Sequence, residues 1–207
     1  MIRESPIVYL VDDDASILRS LTRLLKLEGF KVQAFSSPRD FLNEHDSGMA
    51  GCIVVDLAMP ELNGLDLQKM LTGSGHSKPV VFITGQADVQ STVKAMKAGA
   101  VDFLTKPFSD HAFLNAIKEA ISKDEASRER LEEREDSERR LELLTARERE
   151  VFERVITGKL NKQIAVDLGI VEKTVKVHRG RMMKKMGVRS LAKLARIAER
   201  LGLMGND

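Results

Sequence analysis

Short apolar runs alternate with amphipathic stretches through the first 121 residues of the chain. Four of the runs lie at 7–11, 52–55, 80–83 and 101–104, and each is followed by a stretch with apolar residues at helical spacing. Most of their residues are β-branched or aromatic, which is typical of strands. The alternation predicts the order βαβαβαβαβα, and therefore an α/β fold with a doubly wound parallel sheet of five strands.

The last 65 or so residues show a different pattern, with four short segments of helical spacing and no strand-like run. Thr145 and Glu148 have the spacing of a capping box at the start of the first segment, and Asn161 is expected to cap the second. Gly169 predicts a tight turn before a basic helix over about 172–186. A helix, a glycine turn and a basic helix together suit a helix-turn-helix that binds DNA.

Between these two parts, the chain from residue 108 to residue 157 contains neither proline nor glycine. Three acid-before-arginine pairs at i,i+4 each add about 0.2–0.5 kcal/mol to a solvated helix. They are Asp124/Arg128, Glu135/Arg139 and Asp136/Arg140. Two interpretations are open, a continuous helix that joins two domains or a disordered charged linker, and the missing helix breakers favour the helix. The domains are predicted at 1–121 and 143–207, with the charged linker at 122–142.

The net charge of +2 hides a polarised chain. Residues 1–120 carry 12 Lys/Arg against 15 Asp/Glu (net −3), and residues 121–142 carry 6 against 9 (net −3). Residues 143–207 carry 15 against 7 (net +8), so a small basic unit follows an acidic one. This asymmetry predicts a polyanion-binding module joined to a domain with another task.

Cysteine usage and hydropathy exclude several classes of protein. The single cysteine, Cys52, has no partner for a disulfide and lies in a strand-like run, so it is expected to be a buried, inert thiol. No charged-then-apolar leader precedes the first strand, and no run approaches the roughly 20 apolar residues of a membrane span. The protein is therefore expected to be cytoplasmic and free of the membrane.

Polar side chains stand where the apolar runs end. Asp12 and Asp13 follow the first run, Asp56 follows the second, Thr84 follows the third, and Lys106 follows the last. In open parallel sheets, ligands bind beyond the carboxyl ends of the strands, where all these side chains are expected to converge. Carboxylates suit Mg²⁺, Asp56 suits a nucleophile that forms an acyl phosphate, and Thr84 and Lys106 suit binding of the phosphoryl oxygens.

Each of these residues alone also has an ordinary structural explanation. An aspartate at a strand end is often a helix cap or turn former, and Asp14 is expected to be only that. Thr84 before a glycine suits a cap, and the Lys106–Pro107 pair suits a solvated loop, although a cis bond there would aim the lysine inward. Polar residues follow all four apolar runs in this order, each at a predicted strand end, and together they favour a phosphoryl site.

These residues resemble the receiver domain of two-component response regulators, a flavodoxin-like fold, over about the first 122 residues. The matching motifs are Asp12-Asp13, Asp56-Leu-Ala-Met-Pro60 with Gly64, Thr84-Gly85 and Lys106-Pro107-Phe108. The resemblance implies phosphotransfer from a sensor histidine kinase to Asp56. It also implies Mg²⁺ bound by Asp13, Asp56 and the backbone carbonyl of Ala58, with Asp12 helping directly or through water. Phe103 matches the aromatic switch residue of the family, or else is an ordinary core aromatic.

The basic end of the chain is similar to the LuxR-type helix-turn-helix, which makes nearly the whole chain similar to the FixJ/NarL class. The motifs are Asn161-Lys162-Gln163-Ile164-Ala165, Leu168-Gly169-Ile170 and Thr174-Val175-Lys176-Val177-His178. Base and phosphate contacts are expected from one face of the basic helix and from Lys162. The candidates are Lys162, Lys173, Thr174, Lys176, Val177, Arg179, Arg181 and Lys184. Val175, Met182 and Met186 are expected in the core.

The leading hypothesis is a transcription regulator that is phosphorylated on Asp56, dimerises around its fourth and fifth helices and binds promoter DNA. Leu194, Ile197 and Leu201 of the final helix are a candidate second contact between copies. The only catalysis expected is the chain's own magnesium-dependent phosphotransfer and dephosphorylation. A haloacid-dehalogenase-type phosphatase is the enzyme alternative, but it needs an acid two residues after the nucleophile, where this chain has Ala58. A phosphate-independent receiver is the third hypothesis.

Overall fold

Strands and helices alternate strictly through the first half of the chain. The strands are β1 (Ile7–Val11), β2 (Lys31–Phe35), β3 (Gly51–Asp56), β4 (Val80–Thr84) and β5 (Asp102–Thr105). The helices are α1 (Ala15–Leu27), α2 (Pro38–Glu44), α3 (Gly64–Gly73), α4 (Val89–Lys97) and α5 (Asp110–Glu142). The strands form one parallel sheet in the order β2-β1-β3-β4-β5, which confirms the predicted doubly wound architecture.

Four short helices complete the chain: α6 (Ala146–Ile156), α7 (Asn161–Leu168), α8 (Glu172–Lys185) and α9 (Leu191–Arg200). The computed structural model describes residues 5–60, 62–73, 78–85 and 89–204. The chain divides into two compact units, Met1–Ser127 and Arg128–Asp207, so the dividing point lies inside α5. No helix in the described ranges combines the length and the apolar character that a membrane crossing requires.

The central strands β3 and β4 are apolar up to their polar last residues, because helices cover both faces of the sheet. Every residue of β3 and β4 is buried. The two sides of the sheet carry separate clusters, one with Phe113 and Ile117 of α5 and the other with Leu67 of α3 and Phe41 of α2. Cys52 lies within the first cluster, and burial raises the pKa of its thiol to about 12, which confirms the expected inert thiol.

Strand register decides which polar residues become neighbours. Val11 of β1 pairs with Val55 of β3, so Asp12 and Asp56 follow the two strands side by side. Thr84 of β4 pairs with Thr105 of β5, so Lys106 leaves the sheet next to Thr84. The predicted convergence at the carboxyl edge is therefore a direct result of in-register parallel pairing.

Helix α5 is continuous over 33 residues, which confirms the helical interpretation of the charged segment. Asp136 and Arg140 form the predicted pair at 2.7 Å, but Arg139 pairs with Asp136 at 3.7 Å rather than with Glu135. The segment is also less solvated than its composition indicates. Asp124 is buried and accepts a hydrogen bond from the amide of Gly51 at 2.8 Å, so it anchors α5 to β3.

The helix ends of the second unit confirm most of the predicted signals. Thr145 and Glu148 form both hydrogen bonds of the capping box, and Gly169 adopts a left-handed conformation (φ 63°) that admits the tight turn between α7 and α8. The prediction for Asn161 is wrong, because it is the first residue of α7 and Leu160 occupies the cap position. The amide of Leu160 instead donates to Gln163 Oε1 at 2.8 Å.

The final helix turns its apolar side inward. Leu194 is fully buried, and Ile197 and Leu201 pack against the core of the same unit. Leu194 is therefore unavailable for the predicted second contact between copies, whereas Ile197 and Leu201 are only partly buried and their part in such a contact stays a prediction. Val175, Met182 and Met186 of the α8 segment are fully buried in that core, as predicted.

Candidate functional site

Three charged side chains from different strand ends meet at the carboxyl edge of the sheet. Lys106 Nζ lies 2.8 Å from Asp12 Oδ2 and 2.8 Å from Asp56 Oδ1. Both carboxylates are buried, with 3% and 7% of their side chains exposed, whereas the lysine side chain is 22% exposed. One ammonium therefore compensates two carboxylates in a site that is largely shielded from water.

The second oxygen of each carboxylate is held by the main chain. Asp12 Oδ1 accepts from the amide of Asp14 at 2.8 Å, and Asp56 Oδ2 accepts from the amide of Ala58 at 2.7 Å. Charge-assisted bonds of this kind are short and directional. Both aspartates are thus fixed in orientation by their own local loops before any ligand binds.

The charge balance of the site shifts two pKa values. Burial raises the pKa of Asp12 above its ordinary value of 3.8, and the carboxylate of Asp56 adds to this, while the bonds from Lys106 and the Asp14 amide oppose it. Burial alone would lower the pKa of Lys106, but its hydrogen bonds to Asp12 and Asp56 outweigh burial and hold that pKa above its ordinary value. The lysine is therefore firmly cationic.

The other predicted site residues surround this cluster at different depths. Thr84 is completely buried at the end of β4, and its carbonyl accepts from the Lys106 amide at 2.7 Å. Asp13 is exposed and borders a cleft of roughly 250 Å³ whose other walls include Met59 and Pro60. Phe103 is half-buried, with its ring centroid 6.2 Å from that of Phe82.

Some local features of the site have purely structural roles. Asp14 caps α1 by accepting from the amides of Ser16 and Ile17, as predicted. Gly64 lies so close to β3 that a Cβ atom would be 2.6 Å from the carbonyl oxygen of Asp56. Any larger residue there would displace the main chain of Asp56. The Lys106–Pro107 bond is cis.

Sequence reasoning missed the contact of Lys106 with Asp12 and the hydrogen bond from the amide of Ala58. Nothing in the sequence indicated that Lys106 would touch Asp12 as well as Asp56, because the two are 94 positions apart. The position of Asp56 at a strand end, two residues before Ala58, was the available signal for the hydrogen bond from the Ala58 amide. In turns, an Asp side chain often accepts from the amide two residues later.

Within the described ranges, no three His, Cys, Asp or Glu side chains form a group suited to a metal ion.

The basic helix α8 presents most of the predicted DNA-contact residues on its exposed side. Lys173, Lys176, Val177, Arg181 and Lys184 are exposed, while Thr174 is half-buried. Lys162 is exposed in the first turn of α7. A cationic face of this kind on the second helix of a helix-turn-helix is the usual element for the major groove.

Three cations near this face already have protein partners. Arg179 is half-buried and donates to Asn161 Oδ1 at 2.8 Å, which links α8 to the start of α7. Lys176 pairs with Glu172 at 3.0 Å on the helix surface. Lys185, which was not among the predicted contacts, pairs with Glu148 at 2.6 Å.

Two protein-family models match the chain. The response regulator receiver domain matches residues 8–118, and the luxR family of bacterial regulatory proteins matches residues 142–198. The chain belongs to the response regulators with a LuxR-type DNA-binding domain. The predicted resemblance to both domains is thereby confirmed.

Curated relatives and a solved structure are similar to this response regulator over nearly its full length. It is 44% identical to nodulation protein W of Bradyrhizobium diazoefficiens over 97% of this chain and 88% of that protein. It is 40% identical to the transcriptional regulatory protein FixJ of Rhizobium meliloti over 92% of this chain and 94% of that protein. The solved structure of the response regulator StyR covers 95% of this chain and 99% of its own, with a TM-score of 0.83 and 43% identity.

The family membership favours a DNA-binding transcription regulator over a classical enzyme such as the phosphatase alternative. A receiver domain implies a histidine kinase as partner, and the luxR-family domain implies DNA as the ligand. Receiver domains generally bind Mg²⁺ at the phosphorylation site.

Proposed function

We propose that this response regulator accepts a phosphoryl group on Asp56 from a sensor histidine kinase, then dimerises and binds promoter DNA in the cytoplasm. The observation that carries the proposal is the buried cluster in which Lys106 Nζ contacts both Asp12 and Asp56 at 2.8 Å. Asp56 is the phosphoacceptor because it ends the central strand β3 and is aimed at the only ammonium in this cluster of described residues.

Phosphotransfer is an in-line displacement at phosphorus. A carboxylate oxygen of Asp56 attacks the phosphorus of phosphohistidine, the new O–P bond forms, and the N–P bond breaks with its electron pair going to the imidazole nitrogen. Lys106 holds a fixed positive charge beside the attacked group, and the Thr84 hydroxyl donates to a phosphoryl oxygen. Hydrolysis by water reverses the modification, so the chain catalyses only its own phosphorylation and dephosphorylation.

Two buried carboxylates suit a hard divalent cation that takes only one or two carboxylates from the protein. Asp12 and Asp56 supply two buried carboxylates that already hold one positive charge between them. Asp13 and the backbone carbonyl of Ala58 are the proposed additional donors, since Asp13 and the loop after β3 border the same cleft. Mg²⁺ usually keeps several waters and takes only one or two carboxylates. When bound, it neutralises phosphoryl oxygens during transfer.

Dimerisation uses the face around α4 and α5. On α4, the side chains of Val89, Val93 and Met96 are 80%, 44% and 45% exposed, which is unusual for three large apolar residues on one short helix. Thr84 precedes α4 and Phe103 lies on the neighbouring β5, so movement of the threonine toward a phosphoryl group is the proposed signal and Phe103 the proposed switch. Two paired copies bind adjacent DNA half-sites with raised effective concentration.

Acetyl phosphate with Mg²⁺ tests the phosphoacceptor. Wild-type protein is expected to gain one labile phosphoryl group in intact mass spectra, and Asp56→Asn is expected to gain none because the amide is a poor nucleophile. Asp66→Asn is the matched control, since Asp66 is a receiver aspartate on the surface whose side chain bonds to Asn63 and Lys69. An adduct that persists in Asp56→Asn, or a phosphodonor that leaves DNA binding unchanged in the wild type, would contradict the proposal.

Salt dependence tests the DNA-binding face, for which we propose contacts from Lys162, Lys173, Thr174, Lys176, Val177, Arg179, Arg181 and Lys184. Each phosphate contact contributes about −0.9 to the slope of log K against log salt concentration. Lys162→Gln is therefore expected to reduce the magnitude of that slope by about one. Lys159→Gln is the control, because Lys159 is already paired with Asp167 at 2.6 Å. Equal slopes for wild type and Lys162→Gln would exclude this contact.

A further inference from the structure

At the C-terminal ends of α5 and α8, a cationic side chain of each helix donates to a carbonyl group at the end of the other. Arg140 of α5 donates from Nη1 to the carbonyl oxygen of Met186, at the end of α8, at 3.3 Å. Lys185 of α8 donates from Nζ to the carbonyl oxygen of Leu143, just beyond α5, at 3.0 Å. The final carbonyls of a helix have no partner within the helix, and a cation there also interacts favourably with the helix dipole. Each helix therefore caps the C-terminal end of the other, and we call these two bonds the reciprocal caps.

Both cations of the reciprocal caps are held in place by carboxylates. Arg140 Nε pairs with Asp136 Oδ2 at 2.7 Å, one turn earlier on α5. Lys185 Nζ pairs with Glu148 Oε2 at 2.6 Å, and Glu148 is buried within the capping box of α6. Each cation is thus fixed between a carboxylate and a helix end, which limits the freedom of both helices.

Gly187 leaves the space that Arg140 occupies. A Cβ atom built on Gly187 would lie 1.6 Å from Arg140 Nη1, and the glycine has a φ of 67° that other residues rarely adopt. The chain after α8 is therefore shaped to receive the guanidinium. This arrangement is specific to Arg140, because the neighbouring Arg139 is 71% exposed and pairs with Asp136 on the surface of α5.

The end of α5 is part of the DNA-binding unit. Leu141 and Leu144 are buried in the same apolar cluster as Val175 and Met182 of α8. Glu133 also pairs with Arg200 at the end of α9, at 2.8 Å. The luxR-family match begins only at residue 142, so Glu133, Asp136 and Arg140 lie outside the part of the unit that the family describes.

We propose that Arg140 is a positioning residue for DNA recognition, an inference that rests on the proposed function of α8 as the recognition helix. Arg140 holds the C-terminal end of α8 through Met186, while the exposed face of the same helix carries Lys176, Arg181 and Lys184. Base readout by hydrogen bonds depends on side-chain placement, whereas phosphate attraction tolerates small shifts. Loss of Arg140 therefore weakens discrimination between sequences more than it weakens binding to DNA in general.

The test compares Arg140→Gln with Arg139→Gln in the full-length chain with acetyl phosphate and Mg²⁺. Both variants remove one charge from adjacent positions of α5. The probes are a duplex that the wild-type chain has selected from a random library and a scrambled duplex of the same composition. The ratio of the two dissociation constants is expected to fall by about threefold to tenfold in Arg140→Gln, the effect of losing one hydrogen bond at a helix end. It is expected to stay unchanged in Arg139→Gln.

The salt slope separates positioning from direct contact. A positioning role leaves the slope on the scrambled duplex unchanged, whereas a slope smaller by about 0.9 in Arg140→Gln would identify a phosphate contact and overturn the inference. An equal discrimination ratio for the two variants would also overturn it. Failure of the wild-type chain to select any duplex is a different result, because it would overturn the proposed function itself.

Stability is controlled by measuring binding well below the melting temperature of each variant. If Arg140→Gln does not fold, Asp136→Asn provides the test, since it releases Arg140 from its carboxylate and keeps the arginine. Arg140→Lys keeps the charge but cannot span both partners, and is expected to restore part of the discrimination. A purely structural role would leave discrimination by the folded fraction intact in all of these variants.

Discussion

The residues at the carboxyl edge of the sheet are arranged for one cation more than the protein itself provides. Asp12 and Asp56 are both buried, and Lys106 supplies one positive charge for two negative ones. The raised pKa of Asp12 follows from this imbalance, because burial and the charge of Asp56 both disfavour its ionised form. At the proposed phosphoacceptor site, this excess of negative charge favours the binding of a metal ion.

Lys106→Gln should therefore change how the N-terminal unit responds to Mg²⁺. Without magnesium, the variant is expected to lose about 1–3 kcal/mol of unfolding free energy, because two shielded carboxylates lose a charged partner that is itself partly exposed. Added Mg²⁺ should then stabilise the variant more than the wild type, since the ion no longer competes with the ammonium. Thermal unfolding of both proteins at increasing Mg²⁺ concentrations measures this difference.

Lys69→Gln is the control for this experiment, because Lys69 is an exposed lysine of the same unit that pairs with Asp66. It should behave as the wild type does at every Mg²⁺ concentration. A magnesium response of equal size in the wild type and in Lys106→Gln would show that the ion and the ammonium do not share these carboxylates.

At this scale, the sequence predicts which residues meet but not which atoms touch. Strand ends and parallel register bring Asp12, Asp56, Thr84 and Lys106 together, and both follow from hydrophobic patterning. The double contact of Lys106 does not follow, because a flexible lysine has several acids within reach. The exposure of Asp13 beside the buried Asp12 depends on how the chain turns into α1, which patterning does not specify.

The helices of the DNA-binding unit are held largely by their ends. Glu148 completes the capping box of α6 and also pairs with Lys185 of α8. The bond with Lys185 contributes most to a pKa of Glu148 below its ordinary value of 4.5, although burial opposes it. The ionised side chain is therefore favoured in the folded state.

This pKa predicts an acid-sensitive DNA-binding unit. A depressed folded-state pKa contributes stability that is present above pH 4.5 and is lost as the pH falls through the folded value. Glu148→Gln keeps the amide contact of the capping box but not the ion pair, so it should cost about 1–2 kcal/mol at neutral pH. Calorimetry of the full-length chain from neutral to acidic pH should show the variant and the wild type converging in acid.

Glu150→Gln is the comparison, since the side chain of Glu150 is more exposed than that of Glu148 and pairs with Arg147 along the surface of α6. At neutral pH, Glu150→Gln should change the free energy of unfolding by no more than about 0.5 kcal/mol. A constant difference between Glu148→Gln and the wild type down to the lowest pH would mean that the ion pair with Lys185 contributes no stability.

Elements were easier to predict than the contacts between them. The absence of glycine and proline favoured a continuous α5 over a disordered linker, because helix breakers are the main local obstacle to a charged helix. The pairing of Arg139 and the cap of α7 were not predictable, since several acids lie within reach of Arg139 and Asn161 has a competing partner in Arg179. A contact within α5 decided the first case, and a tertiary contact between α7 and α8 decided the second.

The two units of the chain have separate apolar cores. The clusters of the N-terminal unit end at Ile121, and that of the other unit begins at Leu141, with no core residue in common among the described residues. The net charges differ as well, from −3 over residues 1–120 to +8 over residues 143–207. Two units without a shared core are expected to unfold independently.

The full-length chain should accordingly show two calorimetric transitions with different ligand responses. Mg²⁺ should raise the transition temperature of the N-terminal unit alone. A duplex selected by the protein should raise the transition temperature of the C-terminal unit alone, because a ligand stabilises the unit that binds it. Asp56→Asn identifies the first transition and Lys162→Gln the second. A single transition that both ligands shift together would contradict independent units.

The reciprocal caps set a rule for building chimeric regulators from this protein. A fusion junction at residue 142 would discard Asp136 and Arg140 and leave the carbonyl of Met186 without its donor. A junction at residue 128, where the second compact unit begins, keeps the whole DNA-binding unit. Each residue turns a helix by about 100°. Single-residue insertions at that junction would therefore rotate an attached sensor domain by about 100° each and leave the DNA-binding unit itself unaltered.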